Sequence, residues 1–385
     1  MAALVSAVCL LSSAAPAPAA DPLPAVPPDA FYVLDPVPAG PAGELLRSLP
    51  LFAPTGYAMW AILYRSTGLD GEPVAVSGLV VSSPEAAATG AAPRPILAIA
   101  HGTTGLADAC APSRDPIKRV EVVVAGFPAV DDGWVVVATD YAGLGTPGSH
   151  PYLDGPSEGR SVLHSIIAAR QLPGAGAGPR AALQGSSQGG HATLWAAELA
   201  AEEAPGVDVV GAVAAAPPGD LTVIADWTRS GEETPDSWVN TLTVAVAWSQ
   251  SYGLPLDQLL NASGLADAPR LETECRPGPV AQPLDLTTAI QPAWEAQLAA
   301  NSAGHAAAPM PILVIHGTLD QQIPVGTATA TLARLCAAGS VVEYREIGGA
   351  THAGSLYGGD RLADARAWLD DRLAGRAPTD TCAAG

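Results

Sequence analysis

Basic side chains are scarce in this chain: 18 Lys and Arg stand against 38 Asp and Glu, a formal net charge of −20 at pH 7. A surface so acidic repels phosphate backbones and anionic headgroups over a Debye length or more, which argues against nucleic acid as a partner. Only 15% of the residues are charged, so the acidity reads as a solvated surface rather than a binding tail. Membrane-spanning length is lacking too, since the apolar stretch Ala2 to Leu11 is too short to cross a bilayer. No two cysteines are spaced like a zinc ligand set, and neither a metal nor a cofactor is expected. No internal repeat is visible. What the chain does have is 48% hydrophobic residues over a length of 385, enough for one large domain with an insertion.

Residues 1–20 read as a secretory signal peptide, an apolar stretch followed by small residues and prolines with cleavage near Ala19 or Ala20, so a secreted, extracellular protein is expected. Cys9 would leave with it. The remaining Cys110, Cys275, Cys336 and Cys382 form an even set suited to an oxidising compartment, with the pairing left open by the residues themselves. Residues 21–50 are proline-rich and read as an extended N-terminal arm without chemistry. Two β-rich runs, Ala58 to Tyr64 and Pro73 to Val81, flank a Gly-Leu-Asp-Gly turn and predict an antiparallel hairpin. Near-continuous apolar runs follow at Ile96 to Ala100, Trp134 to Ala138, Ala181 to Gln184, Val207 to Val213 and Ile312 to Ile315. Such runs are expected of strands buried on both faces of a parallel sheet. With helical pattern between them, as from Glu158 to Gln171, the expected fold is α/β: a mostly parallel central sheet flanked by helices. Its core would be formed by residues 51–216 and 310–385, split by a cap or lid insertion, 217–309, where the alternation stops.

The densest signal is Gly185-Ser186-Ser187-Gln188-Gly189, entered from the apolar run Arg180 to Leu183 and left by a helix-forming run from His191 to Glu203. A serine on a tight strand-to-helix turn is backbone-strained, and the flanking glycines let strand and helix pass without collision. Ser187 is the candidate nucleophile. A serine hydroxyl needs a histidine base and an acid that orients it. On this kind of scaffold both follow the serine, acid first, on loops after later strands. His352 fits the base, lying after the strand-like Val341 to Ile347; His191 is expected to meet solvent or the loop above, and His305 to lie in a linker. Asp320, four residues beyond His316 at a strand end, fits the acid, with Asp220 as the rival nearer the start of the insertion. Negative charge on an ester carbonyl oxygen calls for backbone N–H donors. Gln188 supplies one, at the positive end of its helix, and Thr103 or Thr104 in the glycine-flanked turn His101 to Gly105 supplies the other. Asp140 reads as a loop-fixing hydrogen bonder, and Tyr141 and Tyr152 as candidates for the pocket wall.

Taken together, His101-Gly-Thr-Thr-Gly105, Cys110-Ala-Pro-Ser113, the run Ala138 to Tyr152, Gly185-Ser-Ser-Gln-Gly189 and His316-Gly-Thr-Leu-Asp320 resemble the secretory lipase family, the fungal lipase A type and its bacterial relatives, within the α/β-hydrolase superfamily. The likeness runs from about Tyr57 to Leu373. It implies a serine esterase or lipase with the triad Ser187, Asp320 and His352, oxyanion donors at Gln188 and the Thr103-Thr104 turn, and no cofactor. It also implies the disulfides Cys110–Cys275 and Cys336–Cys382.

The insertion carries Trp227, Trp238, Trp248 and Trp294, half of the chain's 8 tryptophans. They can line a tunnel for an acyl chain or make the insertion's own core; periodicity does not choose. The expected activity is carboxylic ester hydrolysis through an acyl-enzyme, on small, lipid or polymeric esters, by a monomer with at most transient contact to a lipid interface. A polyester hydrolase on the same triad, a serine peptidase of the same fold and a non-catalytic cell-surface binding protein are the alternatives.

Overall fold

The computed structural model describes residues 23–88, 91–275 and 278–384; the expected signal peptide lies outside them. Nine strands form one sheet: β1 (Leu45–Leu51), β2 (Ala58–Thr67), β3 (Pro73–Ser82), β4 (Arg94–Ala100), β5 (Val135–Thr139), β6 (Ala177–Ser186), β7 (Asp208–Ala215), β8 (Ile312–Gly317) and β9 (Val342–Ile347). Their order is β1-β2-β3-β5-β4-β6-β7-β8-β9. β1 to β3 and the β3–β5 pair run antiparallel, and β4 to β9 are parallel. β5 and β8 are buried at every residue, as the uninterrupted apolar runs require.

The arm ends sooner than expected. Leu45–Leu51, assigned to the proline-rich segment, forms the edge strand β1 on β2. Pro50 is tolerated there because an edge strand leaves one side of its backbone unpaired. Arg47 fixes the preceding residues, its Nη1 donating to the carbonyls of Ala30, Phe31 and Val33 at 2.9–3.0 Å.

On one face of the sheet the helices Gly155–Gln171 and Gln188–Glu203 pack against each other and against an apolar layer that includes Ile96, Val137 and Leu183. The other face buries Leu97, Val136 and Leu313 beneath Trp134 and the helix Arg361–Leu373. Between β7 and β8 the chain leaves the sheet for the helices Leu221–Arg229, Pro235–Tyr252, Ala262–Asp267 and Pro292–Ala300. Asp220 caps the first of these, accepting from the N–H groups of Thr222 and Val223 at 3.1 and 3.2 Å. The insertion has its own apolar core, in which Trp248 and Trp294 stack at 6.4 Å. Disulfides join Cys110 to Cys275, tying the turn after β4 to the insertion, and Cys336 to Cys382.

Candidate active site

The segments after β4, β6, β8 and β9 meet at the carboxyl edge of the parallel strands, where α/β sheets place their sites. Ser187 follows β6 directly and opens the helix Gln188–Glu203. Its backbone sits at φ 59°, ψ −125°, a region that costs a non-glycine residue about 1–3 kcal/mol and persists only when the surroundings impose it. The surroundings do. A Cβ on Gly185 would stand 2.1 Å from the carbonyl oxygen of Gly189, and one on Gly189 1.9 Å from that of Ala100. Only glycine lets the turn close so tightly. From Ala181 to Glu198 every residue but Ser187 is buried, and Ser187 is half-buried, so the fold leaves this one side chain partly open.

Asp320 and His352 come together as expected: Nδ1 of His352 lies 2.7 Å from Oδ2 of Asp320. The other carboxylate oxygen accepts from the N–H groups of Gln322 and Ile323, both at 2.9 Å. His316 adds a contact that the sequence reading did not assign, with Nε2 3.3 Å from Oδ2 of Asp320 and 2.8 Å from the carbonyl of Ile323. Burial pushes the Asp320 carboxyl up, but the hydrogen bonds from His316 and His352 outweigh it and hold the group well below the usual carboxylate range. Among the described residues His352 Nε2 has no hydrogen-bond partner, so Ser187 and His352 are not yet bonded to each other.

The turn after β4 is braced from behind. Both carboxylate oxygens of Glu121 lie 3.2 Å from the N–H of Gly102, and burial raises the Glu121 carboxyl. Thr103 Oγ1 is 2.7 Å from the hydroxyl of Tyr152, and Thr104 Oγ1 is buried without a partner among the described residues. Gln188, as the first residue of its helix, has a backbone N–H with no intrahelical acceptor. Its side chain donates to Glu158 Oε1 at 2.7 Å and to His150 Nε2 at 3.0 Å. His150 Nδ1 faces the carbonyl of Ala142 at 3.0 Å and so carries the ring proton, leaving Nε2 to accept. Burial lowers His150 to about 4, consistent with a neutral ring near pH 7.

One expectation is narrowed and another needs correction. Of the two places expected for His191, it takes the loop and not solvent: it is buried, with Nε2 2.7 Å from the carbonyl of Asn301, just after the helix Pro292–Ala300, and Nδ1 3.4 Å from Glu158. Its position at the start of the helix faces the packed helix Gly155–Gln171 rather than the open rim. Tyr141 stands outside the cavity wall. Its left-handed backbone, φ 71°, turns the ring inward, where the hydroxyl donates to the carbonyl of His101 at 2.9 Å. Asp140, as read, fixes the loop by accepting from Ser113 and Ser77.

A cavity, partly open to solvent, runs between Ser187 and the insertion. Tyr152 lines it, as do Trp227, Trp248 and Trp294. Trp248 and Trp294 also belong to the insertion's core, so the two readings of the tryptophans are not exclusive. Among the described residues, no group of three or more His, Cys, Asp or Glu is arranged to hold a metal ion.

The sequence model of the secretory lipase family matches residues 120–235 and 288–381, more than half of the chain. The chain belongs to the secretory lipase family. The likeness read from its motifs is thus family membership, and with the fold it makes this a protein of the lipase and esterase type. Over 170 residues it is 32% identical to a "probable inactive lipase" of Mycobacterium tuberculosis, covering 42% of this chain and 37% of that protein. Over 90 residues it is 33% identical to lipase A of Moesziomyces aphidis, covering 23% of this chain and 18% of that one. The chain therefore spans well under half the length of these curated relatives. Its fold is similar to Candida antarctica lipase A, with a TM-score of 0.75, 21% identity and coverage of 93% of this chain and 89% of that one. It is also similar to a rice cell wall degrading esterase of Xanthomonas oryzae, with a TM-score of 0.69, 20% identity and coverage of 87% and 100%. Family membership in secretory lipases and two disulfides fit an oxidising, extracellular setting.

Proposed function

We propose that this protein is a secreted, monomeric serine hydrolase that cleaves carboxylic esters through an acyl-enzyme. His352 Nδ1–H donates to Asp320, which leaves Nε2 with its lone pair ready for the proton of Ser187. Ser187 Oγ attacks the ester carbonyl, and His352 passes the proton to the departing alkoxide. Water, deprotonated by the same ring, then releases the acid. The oxyanion is held by the N–H of Gln188 and one from the Thr103-Thr104 turn. The Ser187–His352 hydrogen bond forms when substrate enters, as is common for catalytic contacts that are open without ligand. The observation that carries this reading is a strained, half-buried serine on the wall of an apolar cavity, at the same edge of the sheet as a preformed Asp320–His352 pair.

Residues 1–20 would direct export and be removed. The substrates would be lipid, small or polymeric esters, with the insertion acting as the cap. Labelling with a fluorophosphonate, beside hydrolysis of p-nitrophenyl esters from two to sixteen carbons, tests this: label and turnover are expected in wild type and absent in Ser187→Ala. The second reading is a non-catalytic protein, favoured by the likeness to the mycobacterial probable inactive lipase. It would be supported by folded wild type that takes no label and turns over no ester.

A further inference from the structure

Resting on that ester-hydrolase reading, we propose that the cavity selects acyl chains bearing a neutral hydrogen-bonding substituent, a hydroxyl above all, and that Glu233 is the residue that reads it. Glu233 is only 8% exposed and lies on the wall of the same cavity as Ser187, among Leu221, Ile224, Val244 and Trp248. Thr241 donates to its Oε1. Oε2 is buried and has no hydrogen-bond partner among the described residues.

A buried polar atom left unsatisfied is costly, and a cavity meant for plain alkyl chains gains nothing from it. The contact with Thr241 uses one oxygen of the carboxyl to brace the helix Pro235–Tyr252, so that structural role leaves the second oxygen unexplained. A ligand hydroxyl would complete the pairing once a rotation of the side chain brings that oxygen, now shut off from the open space of the cavity, to face it.

The charges around the site narrow the class. Arg229 lines the same cavity, with Nη2 donating to the carbonyl of Thr288, and would repel an ammonium group. Glu233 itself disfavours a carboxylate. A hydroxyl fits both protonation states of the carboxyl: it donates to an ionised Oε2 and accepts from a protonated one. Burial lifts the Glu233 carboxyl to about 7 against the pull of the Thr241 hydroxyl and of the nearby Ser237 hydroxyl, whose own hydrogen bond goes to the carbonyl of Thr234, so both states are populated near neutral pH. Asn240 and Gln322, on the same wall with the amide of one 3.5 Å from the other, offer further polar surface at the join between the insertion and the Asp320 loop.

The test is a positional series of p-nitrophenyl hydroxydecanoates beside the plain decanoate, measured as kcat/KM on wild type, Glu233→Leu and Glu233→Gln. One isomer is expected to exceed the plain ester by about tenfold in wild type, the usual effect of meeting an otherwise unpaired buried group. That preference should vanish in Glu233→Leu and persist in weakened form in the isosteric Glu233→Gln. No preferred isomer, or a preference that survives Glu233→Leu, overturns the proposal. Calorimetric binding of the matching hydroxydecanamides to Ser187→Ala, with and without Glu233→Leu, reads the same discrimination without turnover. Absence of turnover and of fluorophosphonate label in wild type would overturn the hydrolase reading alone, and the calorimetry would still decide the role of Glu233.

Discussion

Gln188 Nε2 stands 2.7 Å from Glu158 Oε1, so the residue that follows Ser187 is anchored through its side chain to the neighbouring helix Gly155–Gln171. The backbone N–H of Gln188 is a proposed oxyanion donor, and its aim depends on that anchor. Glu158→Ala would also strip a partner from the N–H of Leu153, now 3.0 Å away, and from His191. Loss of a charge-assisted hydrogen bond at this place is expected to lower kcat about tenfold, with KM nearly unchanged. Glu158→Gln should recover part of the loss. A change confined to KM would show that Glu158 acts on binding instead.

The Asp320–His352 pair predicts a larger loss. Asp320→Asn keeps the size of the side chain but spoils the tautomer that presents Nε2 to Ser187. An effect on kcat of about 10³–10⁴-fold is expected, with a circular dichroism spectrum like that of wild type. Near-normal turnover would remove Asp320 from the mechanism and reopen the case for another acid.

Glu233 makes stability depend on pH. Its folded pKa, about 7, lies above the ordinary value of 4.5, so between the two the folded state holds a proton that the unfolded chain has lost. Stability is therefore fully present below about pH 4.5, falls as pH rises towards 7, and the loss is complete above it, amounting to at most about 3 kcal/mol. Urea titrations at pH 5 and pH 8 should show Glu233→Gln narrowing the difference between the two conditions. An unchanged difference would mean that the carboxyl finds a partner in solution.

Gly189→Ala puts a methyl group 1.9 Å from the carbonyl oxygen of Ala100, which belongs to β4 and has little room to yield. The helix must retreat from the sheet and carry Ser187 with it. A destabilisation of about 3 kcal/mol is expected, together with loss of fluorophosphonate labelling in whatever fraction remains folded.

The parts of this molecule that were legible in the sequence are those with a local signature. Uninterrupted apolar runs gave away the buried strands β4 to β8, because a strand covered on both faces needs no alternation. Gly185 and Gly189 revealed the elbow because the close approach leaves no choice of residue. β1 escaped because Pro50 and Arg47 break its apolar pattern, and only pairing with β2 makes it a strand. The polar set of Glu158, His150 and Gln188 escaped for a different reason. Their burial comes from two helices and a loop closing on one another, whereas each residue alone reads as surface. Glu232 and Glu233 are adjacent and chemically alike, yet the first is exposed and the second is buried in the cavity wall, a difference fixed entirely by tertiary packing.

The Cys110–Cys275 bridge lies against Gly105, where an added Cβ would meet the Cys275 carbonyl oxygen at 2.3 Å and Cys110 Sγ at 2.7 Å. The insertion is thus riveted to the end of the turn that carries Thr103 and Thr104. The insertion proposed to cap the cavity and the turn proposed to donate to the oxyanion therefore share one covalent joint, through which a displacement of either would be passed to the other. Reduction of the bridge would remove that joint.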